Sequence, residues 1–192
     1  MLIPPKMKTN KDCGLTAKAF VISDILNLPY DTVYYELKKI MEYNDCDLDD
    51  NPAEHERVIN EYGKQFPDAN IKFSLVKDVK SNLFSGKLPN NRTIFLVHDC
   101  SGNNPITKML FGALNQHWCV LHSIYAEKEQ VVVWWGNGTI QSFSFDKFED
   151  MLTNASPQCV YTIGESSKPN STPWYSKLYS FIVNIILKIC RK

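Results

Sequence analysis

The spacing of apolar residues changes from a helical to a strand period near the middle of the chain. The first helical stripe, within residues 14–27, consists of Leu15, Ala19, Ile22 and Leu26. Residues 31–43 repeat this pattern. A third helix is predicted from Asn51 and Pro52, an N-cap and a first-turn proline, to a stop at Gly63. The first third of the chain is therefore predicted to be helical.

From residue 70 onward, apolar and polar residues alternate as in half-buried strands. The runs with this pattern are rich in β-branched and aromatic residues and cover 71–75, 93–98, 118–125, 130–135, 139–145 and 158–163. A short amphipathic piece follows the first of these runs at 78–84, and residues 145–152 are interpreted as a helix. This order predicts an α+β fold in which an N-terminal helical lobe packs on a C-terminal antiparallel β-sheet.

Composition agrees with one globular domain, which we place at residues 1–165. The chain has 192 residues, and 21 Lys and Arg balance 21 Asp and Glu, with a pI near 6.9. Zero net charge argues against broad electrostatic capture of nucleic acid, which usually needs a basic face to displace counterions from phosphates, so we expect no nucleic-acid partner. The start of the chain has two prolines and no apolar run, so we do not expect it to be a secretory signal. The six cysteines are therefore expected to be free thiols in a reducing compartment.

The last part of the chain differs from the domain. Residues 166–173 are rich in Ser, Pro and Asn and are interpreted as a linker, and residues 174–192 form a basic amphipathic helix in this interpretation. Its apolar run is short for a membrane-spanning helix, which needs roughly 20 apolar residues. We expect this helix to contact a membrane surface or a partner protein, and the alternative is that it folds back on its own domain. The expected location is the cytoplasm or a host cytosol, with peripheral attachment to a membrane.

The sharpest local feature is Cys13, between Asp12 and Gly14 at the start of the first predicted helix. A helix N-terminus presents unpaired N–H groups and the positive end of the dipole, which favour a thiolate. A thiolate used for acyl transfer also needs an imidazole. His117, which opens an apolar strand directly after a long loop, is the best candidate of the four histidines; His55 is interpreted as solvated helix surface.

These residues carry a resemblance to a known family. The segments Asp12-Cys13-Gly14, His117-Trp118-Cys119-Val120-Leu121, Val131-Val132-Val133 and Ser144-Phe145-Asp146-Lys147-Phe148, with Gly138 between the last two, are arranged as in bacteriocin leader-peptidase (double-glycine peptidase) domains. The similarity covers residues 7–153 and extends to their papain-like relatives. It implies a papain-like fold and a cysteine peptidase that attacks peptide or isopeptide bonds.

Two positions depart from the family pattern. Met7 stands where the family has its oxyanion-hole glutamine, so the expected donors are the backbone amide of Cys13 and the side chain of Asn10. Val133 and Trp134 stand where the family has the Asp or Asn that orients the histidine. Asn137, in a turn, is the nearest polar candidate, although Asn-Gly is also an ordinary hairpin turn pair.

The sequence therefore predicts a thiol hydrolase with Cys13, His117 and Asn137 as catalytic residues, in the setting of a bacterial effector or toxin. Three tryptophans are expected to bind substrate or to form the groove wall, namely Trp118, Trp134 and Trp135. The alternatives are a catalytically degenerate peptidase-like binding module and a transamidase or acyltransferase that uses the same Cys-His pair. We expect no cofactor and no metal, because His117 and Cys119 face one way on a strand and His122 faces the other.

Overall fold

The computed structural model describes seven ranges of the chain, namely 5–8, 12–44, 52–69, 71–98, 116–135, 138–155 and 159–164. Two predicted site residues, Asn10 and Asn137, lie outside these ranges. The loop between residues 99 and 115, the predicted linker at 166–173 and the predicted helix at 174–192 also lie outside them.

The helices begin and end close to the predicted residues. Within the described ranges there are five α-helices: α1 (Cys13–Leu26), α2 (Tyr30–Tyr43), α3 (Pro52–Gly63), α4 (Val79–Phe84) and α5 (Phe145–Thr153). The side chain of Ser144 caps α5 by accepting a hydrogen bond from the Lys147 amide at 3.4 Å. None of the helices in these ranges is long and apolar enough to cross a membrane.

In the described part of the chain, six strands form one antiparallel sheet. They are β1 (Phe73–Leu75), β2 (Thr93–His98), β3 (Gln116–Tyr125), β4 (Gln130–Trp135), β5 (Thr139–Ser144) and β6 (Val160–Ile163), in the spatial order β1-β6-β2-β3-β4-β5. The predicted α+β class is confirmed, and the strands from β2 to β5 lie next to each other in chain order. Strand β6 returns to pair with both β1 and β2.

Each face of the sheet has its own apolar core because apolar side chains alternate along the strands. On one face, here called the helical face, Trp118, Val120 and Trp134 pack against α1, α2 and α3. On the opposite face, Cys119, Leu121 and Val133 pack against α4 and α5. The sheet is thus the middle layer between the N-terminal helical lobe and two shorter helices.

Helix α1 is more deeply buried than its apolar stripe predicts. Every residue from Gly14 to Ser23 is buried, so the helix is enclosed on all sides rather than along one stripe. The reason is that α1 lies between the sheet and the other helices of the lobe, and contacts both α2 and β3. A helix in this position holds its N-terminal residue, Cys13, rigidly against the sheet.

Helix α3 ends where the chain must pass close to its own backbone. A Cβ atom on Gly63 would lie 2.6 Å from the carbonyl oxygen of Ile71, a distance that no side chain tolerates without backbone movement. Glycine at this position therefore allows the start of the sheet region to pack directly against the end of α3.

Candidate active site

Cys13 is the first residue of α1, as predicted, and its side chain is half-buried. It packs at the edge of the core on the helical face of the sheet. The N-terminal N–H groups of a long buried helix favour a thiolate at this position, both as donors and through the helix dipole. The sulfur of Cys13 is a thiol rather than part of a disulfide.

Asp12, directly before Cys13, is buried and held by two other parts of the lobe. Its Oδ2 accepts a hydrogen bond from the Tyr34 hydroxyl at 2.5 Å and another from the Lys8 amide at 3.0 Å. Burial, and then the hydrogen bond to Asp12, raise the pKa of Tyr34, so this hydroxyl stays protonated and remains a donor. The start of α1 is therefore fixed by contacts to α2 and to the segment that precedes it.

The thiol of Cys13 faces a small pocket between α1 and the sheet. Its volume is about 20 Å³, and its walls are Pro5, Cys13, Thr16, Ala17, Phe20, Trp118, Val120, Trp134 and Trp135. A pocket of this size holds roughly one water molecule, so it accepts no substrate side chain without opening. All three tryptophans predicted to bind substrate thus lie next to Cys13.

Two of these tryptophans belong to the core. Trp118 is 1% exposed and Trp134 is 7% exposed. The Trp134 indole N–H donates to Oδ1 of Asn91 at 3.1 Å, and its ring meets Phe20 edge-on. Trp118 and Trp134 can therefore contribute only the edges that line the pocket, whereas half-buried Trp135 presents accessible ring surface. Substrate binding by these residues stays a prediction.

His117 is the second residue of β3, at the same end of the sheet as the Cys13 pocket. Its cross-strand partner on β2 is Val97, which belongs to the core of the opposite face. Directly opposed residues of an antiparallel pair share a face, so the side chain of His117 lies on the face opposite to α1. The half-buried ring of His117 stacks on Trp135, with 4.6 Å between the ring centroids.

Trp135 connects the two predicted catalytic residues. As the last residue of β4 it lines the Cys13 pocket, and its ring also lies against His117. The structure thus brings Cys13 and His117 to one end of the sheet, on either side of the tryptophan that ends β4. For the two to react together, the His117 ring must extend past the end of the strand toward α1.

A second histidine, which the sequence pattern does not favour as the base, also lies at this end of the sheet. His98 is the last residue of β2, is 5% exposed and is paired with Gln116. It alternates with Val97 and therefore shares the helical face with Leu96 and Cys13. The sequence gives only one signal for this placement, the even spacing of Ile94, Leu96 and His98.

The remaining thiol and imidazole on β3 lie in different surroundings. Complete burial, and then the nearby Cys13, raise the pKa of the Cys119 thiol, so it stays protonated and unreactive. His122 follows Leu121 in the alternation and so lies on the helical face, where its ring meets Trp134, and burial lowers the pKa of His122. Among the described residues, no three His, Cys, Asp or Glu side chains converge as metal ligands.

The interpretation of His55 as solvated surface is wrong. His55 has no exposed surface, stacks 4.9 Å from Trp118 and forms a 3.1 Å hydrogen bond through Nδ1 with the Tyr161 hydroxyl. The helical spacing contains the missed signal, because His55 lies three, four and seven residues before Val58, Ile59 and Tyr62, which are all buried. The charged neighbours of His55 occupy the other side of α3.

Burial of His55 has a consequence for stability. Desolvation, and then the charge of the buried Lys18, lower its pKa from the ordinary 6.5 to about 2. The folded protein keeps His55 neutral while the unfolded chain protonates it, so stability falls as the pH falls from 6.5 toward 2. The slope from this residue is about 1.4 kcal/mol per pH unit well below pH 6.5.

We expect the His55→Gln variant to lose this slope. Its free energy of unfolding, measured in urea between pH 7 and pH 4.5, should fall with acidity by about 2.5 kcal/mol less than that of the unmodified protein. The carboxylates are common to both proteins and cancel in the difference. Equal slopes in the two proteins would show that His55 titrates normally in the folded state.

Comparison with known protein families and curated sequences gives no match, so the fold and the site are interpreted from their geometry. No protein-family model matches this chain, and no curated protein sequence is significantly similar to it.

Proposed function

We propose that the protein is a papain-like thiol hydrolase that cleaves peptide or isopeptide bonds, with Cys13 as nucleophile and His117 as proton carrier. The observation that carries the proposal is the meeting of three features at one end of the sheet. The Cys13 thiol lies at the start of a helix whose residues 14–23 are all buried, His117 is the second residue of the adjacent strand, and Trp135 contacts both sites. A helical lobe packed on an antiparallel sheet is the layer order of the papain-like fold that the motifs resemble.

The proposed reaction has two halves. The Cys13 thiolate attacks the carbonyl carbon, the carbon–nitrogen bond breaks, and the His117 imidazolium donates its proton to the departing amine. Water then attacks the thioester while His117 accepts its proton, which releases the acid and restores the thiolate. The amide N–H of Cys13 donates to the developing oxyanion, and Asn10 stays the predicted second donor.

Each half of this reaction requires movement at the site. The pocket at Cys13, about 20 Å³, must widen to admit a carbonyl group. The His117 ring must leave Trp135 and come within hydrogen-bond reach, about 3 Å, of the reacting atoms. We propose that this movement precedes substrate binding, so that the His117 imidazolium and the Cys13 thiolate already form a pair in the ligand-free protein.

A peptidase-like binding module is the second candidate, and the fixed position of Trp134 favours it. Trp134 stands at one of the two positions where the family has its orienting residue, and its indole is fixed by Asn91 in the core. With the histidine unassisted by that residue, the site would grip a peptide without cutting it. This candidate predicts binding without an acyl-enzyme.

An electrophilic peptide probe distinguishes the two candidates. An enzyme is expected to react with a peptide vinyl sulfone to one adduct per chain, located by mass spectrometry on Cys13. A binding module would react slowly and without preference for Cys13 over other accessible thiols. The buried thiols Cys119 and Cys159 serve as internal controls, because neither is expected to react in the folded protein.

A further inference from the structure

Residues 5–8, which precede the helical lobe, lie against the two features on which Cys13 depends. Pro5 forms one wall of the small pocket that the thiol faces. The Lys8 amide donates to the buried carboxylate of Asp12, the residue before Cys13. This segment therefore covers one side of the pocket and is tied to the base of the helix that presents the thiol.

The side chain of Lys8 attaches the segment to α2. Its Nζ donates to Oδ1 of Asp31 at 2.6 Å and lies over two rings, 4.8 Å from the centroid of Tyr34 and 4.2 Å from that of Tyr35. The hydrogen bond to Asp31 raises the pKa of Lys8, so the ammonium is retained at neutral and moderately alkaline pH.

These attachments are of different strength. Asp31 is 71% exposed and the Lys8 side chain is 31% exposed, so their ion pair is weak and easily exchanged for water. The contact between Tyr34 and Asp12 is buried and belongs to the lobe itself. The segment can therefore detach at Lys8 while Asp12 and α1 stay in place.

We propose that residues 5–8 form a strap that closes the Cys13 pocket and that the Lys8–Asp31 ion pair latches it. The strap sets how readily a substrate or an electrophile reaches the thiol. As a device that controls an enzyme, the strap rests on the proposed function. As a cover over Cys13, the strap rests only on the contacts of Pro5 and Lys8. The strap and the proposed function can therefore fail separately.

The rate at which iodoacetamide alkylates Cys13 measures the fraction of molecules in which the strap is detached from the pocket. With the site identified by peptide mapping, Lys8→Glu is expected to raise the alkylation rate of Cys13 about five- to tenfold, the effect of losing one exposed ion pair together with its cation–π contacts. Asp31→Lys removes the ion pair alone and is expected to raise this rate about two- to fivefold. Rates are compared at their alkaline plateau, where any change in the thiol pKa no longer affects them.

The double variant Lys8→Glu with Asp31→Lys restores the ion pair with reversed charges. It is expected to bring the rate back at least half of the way toward that of the unmodified protein, a recovery that general loss of structure cannot produce. The matched control is Lys64→Glu, which breaks a similar exposed ion pair with Glu61 on α3 and should leave the rate unchanged.

Unchanged alkylation in both single variants would overturn the strap, and so would a double variant that reacts as fast as the single ones. Neither result bears on the chemistry of Cys13. Conversely, a faster alkylation in the single variants with no adduct from the peptide vinyl sulfone would retain the strap and reject the hydrolase.

Discussion

Replacing Cys13 with alanine is expected to abolish turnover of peptide substrates, with a loss of about a thousandfold or more. Alanine removes the sulfur that forms the thioester and leaves the core in place, because Cys13 is half-buried at the edge of the pocket. Cys13→Ser should be nearly as inactive, since a serine hydroxyl is not ionised by a helix N-terminus. The measurement is release of amine from a peptide library, with the fold checked by circular dichroism.

A matched control separates loss of the nucleophile from loss of a thiol. Cys159→Ala removes another thiol, one that is buried beside a different groove, which α4 and α5 line. This variant should retain turnover even if its stability is somewhat lower. Activity that survives in Cys13→Ala and disappears in Cys159→Ala would assign the chemistry to another part of the molecule.

The second large effect is expected for the proton carrier. His117→Gln should lower kcat by about a hundred- to ten-thousandfold, the usual contribution of a positioned acid–base group, with a much smaller change in KM. Glutamine keeps a planar side chain able to lie on Trp135, so the end of the sheet is expected to stay folded. The comparison is made by steady-state kinetics on the best library peptide.

Two other histidines test this assignment. His122→Gln changes a half-buried histidine on the same strand and should leave kcat within about threefold, because its ring contacts Trp134 but His122 is not among the described residues that line the Cys13 pocket. His98 lies on the same face as Cys13. A loss of turnover in His98→Gln with normal turnover in His117→Gln would move the role of base from β3 to β2.

Local patterns predict most of the described elements. The helices and strands begin and end within a few residues of the predicted ones because period, turn residues and capping are read from neighbours in the chain. The position of Cys13 at the N-terminus of α1 is predictable from neighbouring residues in the same way. So is the alternation that places His117 and Cys119 on one face of β3.

Features that depend on packing between elements were not predictable in this way. The stripe of α1 does not reveal that Lys18 is also buried, because only the assembled lobe encloses the helix on all sides. The charged neighbours of His55 favoured an exposed position, yet its ring faces Trp118 across the interface. The face of the sheet that receives α1 also had to come from the structure.

The central claim is that Cys13 and His117 form one ionised pair, and the pH dependence of the alkylation rate of Cys13 tests it most directly. Such a pair keeps the thiol ionised at mildly acid pH, so the unmodified protein should react rapidly with iodoacetamide at pH 5.5, and His117→Gln should react there at least tenfold more slowly. The profile of the variant should then follow a single ordinary thiol pKa near 8.5. An unmodified protein that already follows that ordinary profile, or a variant identical to it, would contradict the claim.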